Sequence, residues 1–298
     1  MLQIAVVGFG NVGRCAFEAV QGAPDMEVRC IVGSPRRPPA PGLEHLWAKD
    51  IKDIQAHGKI DTAILCLPSR QCPDAAETLL GMGIPTADSF DIHGDIWDLK
   101  CRLDPVAKQS GAACVIAAGW DPGTDSITRA LMEAMAPRGI TFTNFGPGMS
   151  MGHTVAAKAV EGVKDALSLT LPAGAGAHRR AVYVRLEPGA SFEDVKRAIK
   201  TDAYFIHDET VVREVDDVAA LMDVGHGVHI ARKGVAGATH NQQLEYSMRV
   251  NGPALTGQVL ACAARAVVKC PPGCYTLIEI PVIDMLPGET EDLIRRLV

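Results

Sequence analysis

The first thirteen residues constrain this chain more than any other stretch. Leu2 to Val7 (LQIAVV) is an almost unbroken apolar run, the pattern of a strand buried on both faces of a parallel sheet. It enters Gly8-Phe9-Gly10-Asn11-Val12-Gly13 and then RCAFEAVQG, whose apolar positions suit one face of a helix. A strand, a GxGxxG turn and a helix, in that order, is the setting in which such glycines serve a dinucleotide. The first glycine permits the tight turn and the second lets the backbone approach a pyrophosphate. The third lets the helix pack close on the strand, with its N-terminus aimed at the phosphates. On this reading Gly8, Gly10, Asn11 and Val12 hold the diphosphate; a glycine-rich turn without a ligand is the competing reading.

The second strand, MEVRCIVG (26–33), ends in Gly33-Ser34-Pro35-Arg36-Arg37, with no acid before Glu44. An NAD site would place Asp or Glu there for the ribose hydroxyls. A hydroxyl and two guanidiniums suit a 2′-phosphate instead, so Ser34, Arg36 and Arg37 point to NADP; a solvated basic loop before PPAPG is the alternative. IDTAILCLP (60–68) reads as a further buried strand, bringing Cys66, Pro68 and Ser69 to the nicotinamide side. An amphipathic helix (CPDAAETLLGMG), a strand at 84–91, a helix at 95–110, a strand at 111–120 and a helix at 126–136 follow. That alternation predicts an α/β fold, an N-terminal Rossmann doubly wound parallel sheet.

Past about residue 140 the texture changes. ITFTNFG, ALSLTLPAG, RRAVYVRLEPG and HGVHIARKGVAG read as strands of a mixed or antiparallel sheet, with one helix at 191–200. From Pro253 a helix (ALTGQVLACAARAVV) and GCYTLIEIPVID are expected to rejoin the first domain. The predicted organisation is a dinucleotide-binding domain of residues 1–121 plus 253–298, with an inserted α+β substrate-binding and dimerisation domain at 122–252.

Composition narrows the function. The chain has 298 residues, 47% hydrophobic and 21% charged, as expected of a globular protein of two domains. Its 29 Lys+Arg against 35 Asp+Glu give a net charge of −6, which disfavours nucleic acid as a partner. No run approaches the ~18 apolar residues of a membrane span, and no basic n-region precedes Ile4, so a cytoplasmic protein is expected. Several of the nine cysteines (Cys66, Cys114, Cys262) sit in apolar runs and read as reduced core thiols. Cys270 and Cys274 in CPPGC lack a second pair at zinc spacing, and no metal is expected.

Asp91 and Asp121 each follow a predicted strand of the first domain, and strand-end loops of open α/β sheets are where ligands sit. Carboxylates there can accept bonds from a substrate ammonium, and one of them can relay its proton. Capping the next helix is the competing use of Asp121. Trp120 suits either the core or a pocket wall. Arg180, beside Arg179 ahead of AVYVRL, suits a bidentate carboxylate contact or a surface basic pair. His226 and His229 stand three apart, on opposite faces of a strand, which rules against a joint metal site. His226, flanked by glycines, is the better ligand contact.

Five blocks carry a family resemblance: VVGFGNVGR, DSFDIHGD (88–95), AGWDPGTDSI (118–127), TNFGPGMSMGH (143–153) and LIEIPVIDMLPGE (277–289). Together, in this order and over nearly the whole chain, they resemble the meso-diaminopimelate dehydrogenase family. The resemblance implies NADP-dependent oxidation of the D-centre of meso-2,6-diaminopimelate to an imine. Hydrolysis then gives L-2-amino-6-oxopimelate and ammonia, reversibly, in lysine biosynthesis. It also implies a homodimer. It places Asp91, Trp120 and Asp121 around the reacting D-end, walled by Phe145 and a Met151-Gly152 turn. Thr170, Arg180 and His226 fall on the distal L-carboxylate. The family's Asn before the proline is Gly252 here, and a one-residue slip of Asn251 would restore its contact. The alternatives are an NADP-dependent dehydrogenase of other D-amino acids or amines, and a non-catalytic NADP-binding regulator.

Overall fold

The computed structural model describes residues 1–34, 39, 41–221 and 225–298. β1 (Leu2–Val7) alternates between two cores: Ile4 and Val6 enter one, Ala5 and Val7 the other. An unbroken apolar run is what such two-sided burial requires. Gly8 follows at φ +92°, and a Cβ there would stand 2.4 Å from the Cys66 carbonyl oxygen. Helix α1 (Asn11–Gln21) begins at once; a Cβ on Gly13 would stand 2.0 Å from the Gly8 carbonyl oxygen. Only glycine lets the helix come this close. The chain continues through β2 (Met26–Val32), β3 (Trp47–Ala48), β4 (Thr62–Leu65), α2 (Cys72–Gly81) and β5 (Thr86–Asp88). Then come α3 (Ile96–Ser110), β6 (Ala113–Val115) and α4 (Thr124–Met135).

The strands expected at 60–68, 84–91 and 111–120 are much shorter than their apolar runs. Their C-terminal residues leave the ladder for loops whose N–H groups find other acceptors. Ala118 donates to the Asp88 carbonyl, for example, and Gly119 to Pro122.

Next come β7 (Arg138–Phe145), β8 (Gly148–Met149), α5 (Met151–Lys158), β9 (Val163–Gly174), β10 (Ala177–Leu186), α6 (Phe192–Thr201) and β11 (Glu209–Glu214). β12 (Gly225–Ala236) and β13 (Thr239–Asn251) close the stretch. They form two sheets, ordered β11-β10-β9-β8 and β13-β12-β7. β10 and β11 run parallel, joined through α6, and the other pairs are antiparallel. Met151 and Gly152 open helix α5 rather than forming the expected turn. β13 alternates apolar Leu244, Tyr246, Met248 and Val250 with polar neighbours, and as an edge strand it keeps its side chains exposed or half-exposed.

α7 (Gly252–Val267), β14 (Gly273–Tyr275) and α8 (Thr290–Leu297) complete the chain. The large sheet is then β3-β2-β1-β4-β5-β6-β14, parallel throughout. α1 and α7 pack on one face and α2 and α3 on the other. This is the doubly wound order, and its switch point lies between β1 and β4. The chain divides into one compact unit of Met1–Ile127 plus Pro253–Val298 and a second of Thr128–Gly252. No helix among the described residues is long and apolar enough to cross a membrane.

Candidate active site

At the switch point of the first unit lies a cavity of about 760 Å³. Of the residues expected to hold a nucleotide, Gly8, Gly10, Ser34, Cys66 and Pro68 line it. Gly10 is the N-cap of α1 and has no neighbour within 4 Å of its ideal Cβ position, so the helix N-terminus is open to an anion. Asn11 and Val12 form the first turn of that helix and do not line the cavity. Arg36 and Arg37 lie outside the described residues. The cavity also takes in Phe9, Trp47, Lys52 and Arg70, which the sequence reading missed. Trp47 packs edge-on to Phe9 and over Gly33, where a Cβ would stand 1.8 Å from the indole. A dinucleotide fits these residues: glycines where side chains would block the approach, an open helix N-terminus, and cations along the wall.

Ser69 does not line this cavity. Its hydroxyl donates to Asp91 Oδ1 at 2.5 Å and accepts from the Asp91 N–H at 3.2 Å, so it anchors Asp91 from the loop after β4. Asp121 Oδ1 lies 3.9 Å from Nε2 of His93, an exposed residue that the sequence reading had quoted without a role. Trp120 is buried, and its carbonyl accepts the Asp125 N–H at the start of α4. Asp91, His93, Trp120 and Asp121 all follow β5 or β6, at the carboxyl edge of the sheet. Asp88, the last residue of β5, is fully buried, and burial pushes its carboxyl up to about 6.

The second unit brings Thr170 and Arg180 together directly. They are opposite one another in the β9–β10 ladder, and the guanidinium donates to the threonine hydroxyl. Arg180 also donates through Nε to Asp208 Oδ2 at 2.6 Å. Asp208 in turn lies 3.2 Å from His178 Nε2 and 3.6 Å from His153 Nε2. Burial alone would raise the Asp208 carboxyl. Hydrogen bonds from His153, His178 and Arg180 outweigh it and hold the group well below the usual carboxylate range. Phe145 packs edge-on to His178, with centroids 5.8 Å apart. Met151 is half-buried against the cluster of Met149, Leu167 and Val218. Asp208, His153 and His178 escaped the sequence reading. His153 stood in a quoted block, but nothing in one dimension ties it to an aspartate 55 residues on.

His226 is buried on β12 and lines a second cavity of about 590 Å³ with Gly146, Pro147, Arg249 and Asn251. The register pairs His226 with Val250 and Gly225 with Asn251. Side chains of successive residues leave a strand on opposite faces, so Asn251 shares the cavity wall but not the His226 face. His229 lies on the face opposite His226. Among the described residues no group of three or more His, Cys, Asp or Glu is placed to hold a metal, and all nine cysteines are free thiols.

Comparison with known proteins adds three findings. Residues 119–177 match the diaminopimelic acid dehydrogenase C-terminal domain family. The chain is 55% identical to the meso-diaminopimelate D-dehydrogenase of Bacteroides fragilis, covering 100% of this chain and 99% of that one. It is 31% identical to the same enzyme of Ureibacillus thermosphaericus, with 99% of each covered. Among solved structures, the DAP dehydrogenase of C. glutamicum in complex with DAP superimposes with a TM-score of 0.89 at 27% identity, covering 100% of this chain and 99% of that one. An engineered D-amino acid dehydrogenase bound to NADP+ gives 0.90 at 26% identity, with the same coverage.

Proposed function

The chain belongs to the meso-diaminopimelate D-dehydrogenase family of amino-acid dehydrogenases, and from that premise we propose that it oxidatively deaminates the D-centre of meso-2,6-diaminopimelate with NADP. The observation that carries the reading is a pair of charge constellations of opposite sense. The first unit offers Asp91 and Asp121 at its strand ends, suited to an ammonium. The second offers the Arg180–Thr170 pair, suited to a carboxylate. A substrate with two ammoniums and two carboxylates carries a group that matches each.

Gly8, Gly10, Ser34, Cys66 and Pro68 would hold the dinucleotide, which when bound would supply a hydride acceptor. Arg36 and Arg37 belong to the same proposal as the 2′-phosphate contacts, with Asn11 and Val12 donating through the α1 backbone. The chain's own task is the proton. Hydride leaves only from a neutral amine, so a carboxylate must first take a proton from the substrate ammonium. Asp91, fixed by Ser69, orients that ammonium; Asp121 accepts the proton at Oδ1 and passes it through exposed His93 to solvent. Trp120, Phe145, Met151 and Gly152 shape the D-end, while Arg180, Thr170 and His226 hold the distal carboxylate.

The test is steady-state NADPH formation with meso-, LL- and DD-diaminopimelate and with D-alanine. A strong preference for the meso isomer is expected, and equal rates on all four would overturn the reading. A broader D-amino-acid dehydrogenase is the second reading. It is favoured by Gly252 at the start of α7, which brings no side-chain amide to that position. A cytoplasmic homodimer serving lysine biosynthesis completes the proposal, supported by the exposed sheet edge at β13.

A further inference from the structure

Asp88 has no part in the chemistry proposed for Asp91 and Asp121, yet its contacts reach both of their loops. Its Oδ1 accepts the Phe90 N–H at 2.9 Å, one residue before Asp91. The same oxygen accepts the Ala117 N–H at 3.2 Å, from the loop that leads to Trp120 and Asp121. Its backbone carbonyl takes the next N–H of that loop, from Ala118, at 2.7 Å. An Asx turn needs only the Phe90 bond; the bond to Ala117 reaches the loop after a different strand.

That second bond answers a specific need. β6 ends at Val115, and the Ile116 N–H still finds the Tyr275 carbonyl, but Ala117 has left the ladder at φ +55°. A left-handed alanine is strained and persists only where its surroundings hold it. Ala117 is 4% exposed and Ala118 is 0% exposed, so water cannot serve their N–H groups, and Asp88 supplies both acceptors. Ser69 holds Asp91 from the loop after β4; Asp88 holds the loops after β5 and β6 to each other.

We propose that Asp88 is a positioning residue for amine oxidation: one carboxyl ties the Asp91 loop to the Trp120–Asp121 loop and sets the geometry of the two carboxylates. The proposal rests on the assignment of Asp91 and Asp121 as the groups that meet the substrate amine. Loss of the tie misplaces both by a fraction of the ångström scale on which rates change about 10²-fold.

The experiment uses the full chain carrying Asp88→Ala, Asp88→Glu or Asp88→Asn. The readouts are kcat and KM with meso-diaminopimelate, NADPH affinity by fluorescence, and hydrogen exchange of residues 88–91 and 116–121. Alanine is expected to lower kcat about 10²-fold, leave NADPH affinity unchanged, and speed exchange in both segments together. Asparagine keeps an acceptor oxygen at the Oδ1 position and is expected to rescue both kcat and exchange. Should the alanine variant fail to fold, glutamate carries the test: it keeps the charge but displaces the acceptor, and kcat is expected to fall with NADPH affinity retained. Wild-type kcat in the alanine or glutamate variant, or faster exchange at 88–91 alone, overturns the proposal. The exchange and NADPH arms need no amino acid. A wild-type protein inactive on meso-diaminopimelate would overturn the functional reading, while those arms still decide the tie.

Discussion

Two carboxylates in this protein, one buried and one half-buried, respond to pH in opposite directions, each for a visible reason. Burial dominates at Asp88 and raises it from 3.8 to about 6. The folded state thus binds that proton more tightly than the unfolded chain, and the associated stability, complete below pH 3.8, is lost as pH rises through 6. The displacement corresponds to about 3 kcal/mol. Asp88→Asn removes this slope, so urea unfolding should show the variant gaining about 3 kcal/mol on wild type between pH 3.5 and pH 8. A constant difference across that range would show that the carboxyl ionises equally in both states. Asp208 is held low by His153, His178 and Arg180; its contribution is present above the ordinary carboxylate range and lost on acidification. Asp208→Asn loosens Arg180, and KM for the diamino acid should rise about tenfold with kcat at saturation nearly unchanged. Asp91→Asn and Asp121→Asn should instead lower kcat by about 10²–10⁴. Unchanged kcat in both would remove them from the proton path.

At the scale of the element, the first strand–turn–helix separates two uses of glycine that look alike in sequence. A Cβ on Gly13 meets the Gly8 carbonyl, whereas one on Gly10 meets nothing within 4 Å. Gly13→Ala should therefore lower thermal stability, through an overlap costing about 1–3 kcal/mol. Gly10→Ala should leave the melting temperature in place and weaken NADPH binding, because its methyl enters the space a pyrophosphate needs. Differential scanning fluorimetry with and without NADPH distinguishes the two. Equal losses of stability would contradict this division. The end of β6 depends on Asp88: Ile116 still donates to Tyr275 of β14, and the next two N–H groups, from Ala117 and Ala118, go to Asp88.

For the molecule as a whole, ligand linkage and mass are the measurable quantities. A nucleotide that binds only the folded first unit stabilises it by about 2.7 kcal/mol at a concentration of 100 Kd. Hydrogen exchange should accordingly slow in β1, α1 and β4 on adding NADPH. Light scattering should return twice the 31.6 kDa chain mass if the homodimer is correct. A monomer at micromolar concentration would reject it.

What could be read from residues alone were features whose cause is local or periodic. The β1–GxGxxG–α1 unit announces itself because two-sided burial demands continuous apolar residues and close approach demands glycine. Arg180 and Thr170 carried charge and hydroxyl into recognisable blocks, although only the antiparallel register showed that they face each other. The rest depended on residues distant in sequence meeting in space. Asp208 reaches Arg180 across 28 positions, Ser69 reaches Asp91 across 22, and Asp88 reaches Ala117 across 29. β13 displays its alternation at Leu244, Tyr246, Met248 and Val250, yet only the register placed Asn251 on the strand face opposite His226. Propensity and pattern act along the chain. Hydrogen-bond partners, strand faces and the dielectric around a carboxyl are set only once the chain has folded.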